Sequence, residues 1–414
     1  MNLYLVLVVV FIAGTACLDV LMEWLNLSRI SPTLPAEFTG VYDPERYRTS
    51  QQYLRVRTRF GIGVRLVSSF FLLGFILVGG FEWVDEAARS LDLGSLPTGL
   101  VFIGLLAFGS SLLRIPISAW STFVIEERFG FNRTRPGTFV LDLVKGWVLS
   151  LVLGGPLLAA ILWVFARYPG WAWLMGWLLV TLVSLVMMLL SPVLILPIFY
   201  KFEPLADGEL RAAIEAYAGE QRFQMKGVFG MDGSRRSSKT NAFFTGVGRF
   251  RRIVLLDTLI AKHPVEELVA VVAHEMGHYK KGHILFGWLE AFLSSGVMFF
   301  LLSLFMQNES LFQAFGMRHL SIYASLVFFG FLYTPIQELL SIAGNALSRW
   351  QERAADAFAV RTTGKPEALV AGLKRLTVDN LGNLTPHPWH VALYWSHPPI
   401  LERIHRIRAV SSKG

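Results

Sequence analysis

The chain has 414 residues, 53% of them hydrophobic and only 16% charged, with a mean hydropathy of +0.49. Ordinary soluble domains carry roughly 25% charged residues, so a water-soluble globule is excluded, and a disordered chain is excluded by the same apolar content. A single cysteine, Cys17, excludes an intrachain disulfide framework and an all-thiolate metal site, and the net charge of +8 is explained by where its charges lie.

A membrane-crossing helix needs about 20 mostly apolar residues. Seven stretches meet or approach that length: 3–20, 61–81, 93–113, 146–166, 171–200, 284–306 and 320–343. The third and fourth carry no charge. The fifth is long and holds Pro192 and Pro197 near its end, where a missing backbone donor predicts a kink or an early stop. Asp19, Glu290 and Glu338 weaken the first, sixth and seventh. With Arg65, one turn inside the second, they are ionisable groups at membrane depth, which are functional candidates by default. No Lys or Arg precedes the first stretch, so it reads as a retained span and not as a cleaved signal.

Lys and Arg cluster in alternate connections: six in 24–60 and five in 114–145, against one each in 82–92, 167–170 and 307–319. The positive-inside rule then puts the N-terminus outside, and the polar segments 201–282 and 344–414 with the C-terminus in the cytosol. The surplus charge faces an anionic leaflet, so no nucleic-acid partner is implied.

Segment 201–282 changes character. Asp207-Gly208-Glu209-Leu210 opens a helix with Leu210, Ala213, Ile214 and Tyr217 at helical spacing. Residues 227–231, 241–246 and 252–256 read as strands around a turn at 233–238, and Pro264 begins a helix reaching about Lys280. On that helix stands His274-Glu275-Met276-Gly277-His278. Residues four apart share a helix face, so both imidazoles can reach one metal ion, with Glu275 directed at its water. Catalytic zinc usually takes three protein ligands. His263, His283, His387, His390, His397 and His405 remain as candidates, while His319 falls on the wrong side of the membrane. A carboxylate is the alternative. Glu352 and Asp356 are again four apart on a helix: either Glu352 ligates the ion and Asp356 orients a ligand histidine, or both belong to a solvated charged face. The hairpin of the last two spans leaves one membrane face and returns to it, which brings the two helices together.

These residues and several other segments resemble the type I CAAX prenyl endopeptidases, the a-factor-converting-enzyme type of integral-membrane gluzincin zinc metalloproteases. STFVIEERFGFN at 121–132 resembles the family's loop between spans three and four, and PIFYKFEPL at 197–205 its stretch after span five. TNAFFTG at 240–246 resembles its substrate-facing edge strand. Ser348-Arg349, Glu352 and Ala355-Asp356 match its third-ligand motif, and Ser396-His397-Pro398-Pro399 with Glu402-Arg403-Ile404 its C-terminal motif. The matches run in order over most of the chain. Lys280 departs from the general zinc-protease pattern, which prefers an apolar residue there.

The resemblance implies a multi-pass α-helical membrane protein: seven transmembrane helices around a water-filled chamber, with a small α+β zinc-protease portion on the cytosolic side. The divisions are 1–200 for helices one to five with their loops, 201–282 for the strands and HExxH helix, 283–343 for helices six and seven, and 344–414 for the third-ligand helix and C-terminal segment. It implies one Zn2+ per chain on His274, His278 and Glu352, with Glu275 as base and His397 as oxyanion stabiliser. Asp356 and Arg349 would support the ligands, and Asn241, Ala242 and Phe243 would line an extended peptide. The implied activity is C-terminal CaaX processing of prenylated peptides or proteins, in the cytoplasmic membrane of a prokaryote or the endoplasmic reticulum of a eukaryote. A general membrane-protein quality-control metalloprotease is the alternative, disfavoured by the seven spans. A transporter or receptor with an incidental HEMGH is the reading of a different class, and purified protein without zinc would support it.

Overall fold

The computed structural model describes residues 2–246 and 251–412. Among them are seven helices long and apolar enough to cross a membrane: Leu3–Ser28, Pro44–Leu77, Ser95–Glu126, Pro136–Arg167, Ala172–Phe199, His283–Phe305 and Ile322–Thr363. Each covers most of one expected stretch, yet several run well past the apolar part. The last has 42 residues, about 63 Å at 1.5 Å per residue, twice the roughly 30 Å hydrocarbon core. It therefore projects far beyond the bilayer as a polar helix and ends only at Gly364, whose φ of 64° supplies the left-handed C-cap. The second begins with equal definition: Asp43 accepts the Arg46 N–H at 2.9 Å and Pro44 occupies the first helical position.

Pro192 does not stop its helix. One wider, π-type turn at Ser191–Ile195 absorbs the lost donor, and the helix continues to Phe199. Similar turns interrupt the third and fourth spans at Ser121–Glu126 and Ser150–Gly154.

The spans pack against one another but bury little of their most apolar stretches. Only 0–17% of the most apolar window of each is buried. Close packing is concentrated at the two ends. At the end remote from the sheet, Val8, Ile76, Phe102, Leu162 and Phe328 close around the short helices Gly80–Arg89 and Glu309–Ala314 through Phe81, Phe312 and Phe315. At the other end a second core joins the sheet, the HExxH helix and the C-terminal helices through Ile214, Ile253, Leu255, Leu268, Val272, Met276, Leu373 and Ile404. Seven membrane helices are thus held by close-packed clusters near their two ends.

The sheet has four strands, β1 (Phe202–Pro204), β2 (Gly227–Met231), β3 (Ala242–Thr245) and β4 (Arg252–Leu256), in the order β1-β2-β4-β3. β2 pairs parallel with β4, and the two outer strands pair antiparallel. β3 is therefore an edge strand. Helix Glu209–Glu220 falls where its spacing puts it. β1 and three helices after the last span, Pro366–Asp379, Pro388–Tyr394 and Ile400–Ser411, are additional to the expected elements.

Candidate metal centre

The HExxH helix, Val265–Lys280, starts after Pro264 with Glu266 and Glu267 in its first turn, where their charge complements the helix dipole. Val271, Val272, Ala273 and Met276 are buried in the module core, which fixes the helix rotation and turns His274 and His278 to the opposite helix. That helix is the projecting part of Ile322–Thr363. Gly277 lets the two approach: a Cβ there would lie 3.0 Å from the Ala355 Cα and 3.1 Å from its carbonyl oxygen. Ala355 is itself fully buried. Small residue against small residue brings Glu352 and Asp356 to the two histidines.

The three candidate ligand groups form a tight triangle, one oxygen of the carboxylate nearest each imidazole. His274 Nε2 lies 3.2 Å from His278 Nε2, Glu352 Oε1 lies 3.0 Å from His278 Nε2, and Glu352 Oε2 lies 3.4 Å from His274 Nε2. Ligands about 2.0–2.1 Å from a tetrahedral ion lie about 3.3–3.4 Å from one another, so two imidazole nitrogens 3.2 Å apart with a carboxylate beside both suit one such ion. Glu352 is nearly fully buried, yet its Oε2 accepts no hydrogen bond from a described residue. A buried carboxylate oxygen without a hydrogen bond, faced at 3.5 Å only by the Arg403 guanidinium and at 3.4 Å by His274, has room for a bound ion as a partner. The residues present fit the metal that their family resemblance implies.

Asp356 Oδ1 lies 2.9 Å from His274 Nδ1, so it holds the ring nitrogen that the triangle does not use and fixes the ring's orientation. Burial works against a charge on His274, but the hydrogen bonds to Asp356 and Glu352 outweigh it and lift its pKa to about 9. Burial raises the Glu275 carboxyl. Glu275 follows His274 on the helix, half-buried, and no described side chain hydrogen-bonds to it, which leaves it free to handle a proton.

His397 comes from the turn before the last helix and is exposed, with Nε2 3.4 Å from Glu352 Oε1 and Nδ1 2.9 Å from Ser396 Oγ. It stands at the open side of the triangle. Arg349 is placed differently from the ligand support first expected. It touches none of the three ligand candidates nor Asp356. Its guanidinium donates to the carbonyls of Val391 at 3.0 Å and Trp395 at 2.6 Å, pinning the end of helix Pro388–Tyr394 two residues before His397. Carbonyls at a helix C-terminus are short of intrahelical donors, and the guanidinium supplies them. Asn241, Ala242 and Phe243 lie at the start of the edge strand, which packs against the HExxH helix.

Two residues at the site carry a role that the sequence did not assign. Arg403 donates to Asp356 through Nε at 3.0 Å and Nη2 at 2.7 Å, and its Nη1 is 3.5 Å from Glu352 Oε2. Its position was marked in two ways: it falls in the C-terminal motif, and it shares the buried face of its helix with Ile400, Ile404 and Ile407, where a cation needs a partner. His283 Nδ1 meets His278 Nδ1 at 3.1 Å, because Gly282, at φ 73°, reverses the chain directly after the HExxH helix. Its spacing of five from His278 carried no signal. Of the membrane-depth ions, Arg65 pairs with Asp19 at 2.7 Å, Asp19 also accepts from Tyr394 Oη at 2.6 Å, Glu290 lies against Gly344, and Glu338 is exposed.

A seven-helix membrane frame with an HExxH helix and a glutamate returned to it by a later helix defines an integral-membrane metallopeptidase. Residues 23–201 match the family described as CAAX prenyl protease N-terminal, five membrane helices, and residues 204–411 match Peptidase family M48. A CAAX prenyl protease 1 homolog of Arabidopsis thaliana is 35% identical over 92% of this chain and 92% of its own length. CAAX prenyl protease 1 of Saccharomyces cerevisiae is 32% identical, over 95% and 92%. The crystal structure of S. mikatae Ste24p superposes with a TM-score of 0.93 at 29% identity, covering 98% of this chain and 99% of that one. The chain belongs to the M48 peptidases, in the branch that carries the CAAX prenyl protease N-terminal helices.

Proposed function

We propose that the chain is a zinc endopeptidase that processes the C-terminus of prenylated CaaX peptides or proteins, with one Zn2+ held by His274, His278 and Glu352. The observation that carries the reading is the meeting of His274, His278 and Glu352, with closest ligand-atom approaches of 3.0–3.4 Å, in a frame of seven membrane helices. Bound zinc supplies Lewis acidity, acidifying a water to a pKa of about 7 and polarising a carbonyl. The Glu275 carboxylate takes the proton of the attacking water and delivers it to the leaving amine nitrogen. His397, at the open side of the triangle, stabilises the developing oxyanion through its ring N–H. Asp356 and Arg403 keep His274 oriented, and Arg349 acts on His397 through the turn at Trp395. The free edge of β3, at Asn241, Ala242 and Phe243, takes the peptide as an added strand.

The basic loops lie at the end that carries the metal centre, which supports a cytosolic centre and an N-terminus on the other side. In a eukaryotic cell that membrane is the endoplasmic reticulum, in a prokaryote the cytoplasmic membrane. The partners are the peptide, with its lipid, and the bilayer, with no nucleic acid.

The test is cleavage of matched farnesylated and unmodified CaaX peptides by the purified protein, with and without a chelator. The farnesylated peptide is expected to be cut after its cysteine, the chelator to abolish the cut and zinc to restore it. Equal cleavage of the unmodified peptide would overturn the CaaX reading in favour of a general quality-control protease. Chelator-resistant cleavage would overturn the metal.

A further inference from the structure

His397 lies on a short connection, residues 395–399, between two helices that are held in different ways. The helix after it, Ile400–Ser411, is seated in the module core through Ile400, Ile404 and Ile407. The helix before it, Pro388–Tyr394, buries one of its seven residues, His390. Apolar packing, which stabilises most helices in proteins, has little to grip there, so polar ties hold it.

Those ties run to two sides. From the last long helix, Ile322–Thr363, Asn345 donates to the Leu393 carbonyl at 2.8 Å, and Arg349 to those of Val391 at 3.0 Å and Trp395 at 2.6 Å. From the first span, Asn26 Oδ1 accepts the His387 N–H at 3.3 Å and the Asn383 side-chain amide at 3.2 Å. Glu23 Oε1 lies 3.5 Å from His390 Nε2, and Asp19 Oδ1 accepts the Tyr394 hydroxyl at 2.6 Å. Of the ties to the first span, the one at Tyr394 stands nearest His397 in the chain. It also carries a counter-charge, because Arg65 of the second span lies 2.7 Å from the other oxygen, Asp19 Oδ2. A carboxylate held by a guanidinium gives the hydroxyl a charged acceptor, and such bonds are stronger than neutral ones. Asp19 and Arg65 stand at membrane depth, where ionisable groups mark function, and the hydrolytic steps above use neither.

We propose that Asp19, Arg65 and Tyr394 are positioning residues for His397: they dock the first two spans on helix Pro388–Tyr394 and so hold the His397 ring where the oxyanion forms. This rests on His397 as oxyanion stabiliser, as proposed above. The helix is clamped between two jaws. Asn345 and Arg349 hold its carbonyls, and Asp19 holds its Tyr394 side chain. Pro398 and Pro399 restrict the far end of the connection, so a shift at its near end is passed to His397. A misplacement of about 1 Å can cost on the order of 10² in rate.

The test uses the full-length, zinc-loaded protein and a farnesylated CaaX peptide. His397→Ala is expected to lower kcat by about 10²–10³. Tyr394→Phe removes one hydroxyl from an exposed side chain. It is expected to lower kcat about tenfold, with KM within about twofold and zinc content unchanged, and Asp19→Asn to do the same. In the His397→Ala background Tyr394→Phe should add less than about twofold, because the ring it positions is gone. In zinc-free protein, amide hydrogen exchange over residues 391–397 should quicken about tenfold in Tyr394→Phe, a loosening read without turnover. Wild-type kcat in Tyr394→Phe and Asp19→Asn overturns the proposal, as does unchanged exchange, or a loss that adds in full to that of His397→Ala. Wild-type kcat in His397→Ala overturns the oxyanion assignment itself, and the positioning role with it.

Discussion

The HExxH helix buries nine of its sixteen residues, His274 among them, whereas the fifth span, though more apolar, buries none of its most apolar window. In the metal module apolar side chains are consumed in a close-packed core that fixes helix rotations. In the spans most of them stay unburied, and the load is carried by the packed ends. Hydrophobicity therefore specifies where a span lies, while packing specifies where a ligand atom lies. Precision is concentrated at one end of the molecule.

The largest effect expected from that division falls on the proton carrier. Glu275→Gln should keep the metal content of the wild type and lower kcat by about 10²–10⁴, checked by metal analysis and single-turnover cleavage. Retained turnover would remove Glu275 as base. Gly277→Ala probes the packing of the module directly, because its Cβ would meet the Ala355 backbone at 3.0 Å. Separation of the two helices should cost on the order of 10² in kcat/KM and weaken zinc retention against a competing chelator. Wild-type affinity would show that the close crossing does not set the ligand distances.

A matched pair sharpens the contrast in stability. Leu268, buried in the module, should cost about 2–5 kcal/mol on replacement by Ala. Leu182, 59% exposed in the fifth span, should cost less than about 0.5 kcal/mol. Equal losses in denaturant titrations would contradict the difference in packing.

The smallest effect is the pH response of His263. Burial lowers its pKa, against the opposing charge of Glu267, whose carboxylate holds Nδ1 at 3.0 Å and also binds Arg375 at 3.0 Å. The folded state therefore prefers the neutral ring. Its contribution is present above the ordinary histidine pKa of about 6.5 and lost as pH falls below it. His263→Gln should flatten the decline in melting temperature between about pH 7 and 5. An unchanged slope would show that the histidine charges in place.

The spans were legible because each needs a long apolar run, and the run is its own signal. Their polar extensions were not: residues 44–60 and 344–363 are helical by continuity with a span, which composition does not reveal. The histidine pair of the metal centre was legible from a spacing of four. Glu352 needed two things together, its motif and the topology of the last hairpin, since from spacing alone it fitted a surface pair equally well. The role of Arg403 was missed because it reaches the site through the fold, across 129 positions from His274, and that of His283 because a turn at Gly282, not a helical spacing, brings it to His278. Arg349 was assigned by its place in a motif, but a helix end with orphan carbonyls lay closer than the ligands did.

The most direct measurement is a structure of the zinc-loaded protein with anomalous scattering at the zinc edge. The expected result is one ion per chain with His274 Nε2, His278 Nε2 and a Glu352 carboxylate oxygen each about 2.0–2.2 Å away. An ion bound elsewhere, or one with Glu352 beyond about 3 Å, would contradict the assignment of the carboxylate that the returning helix carries to the site.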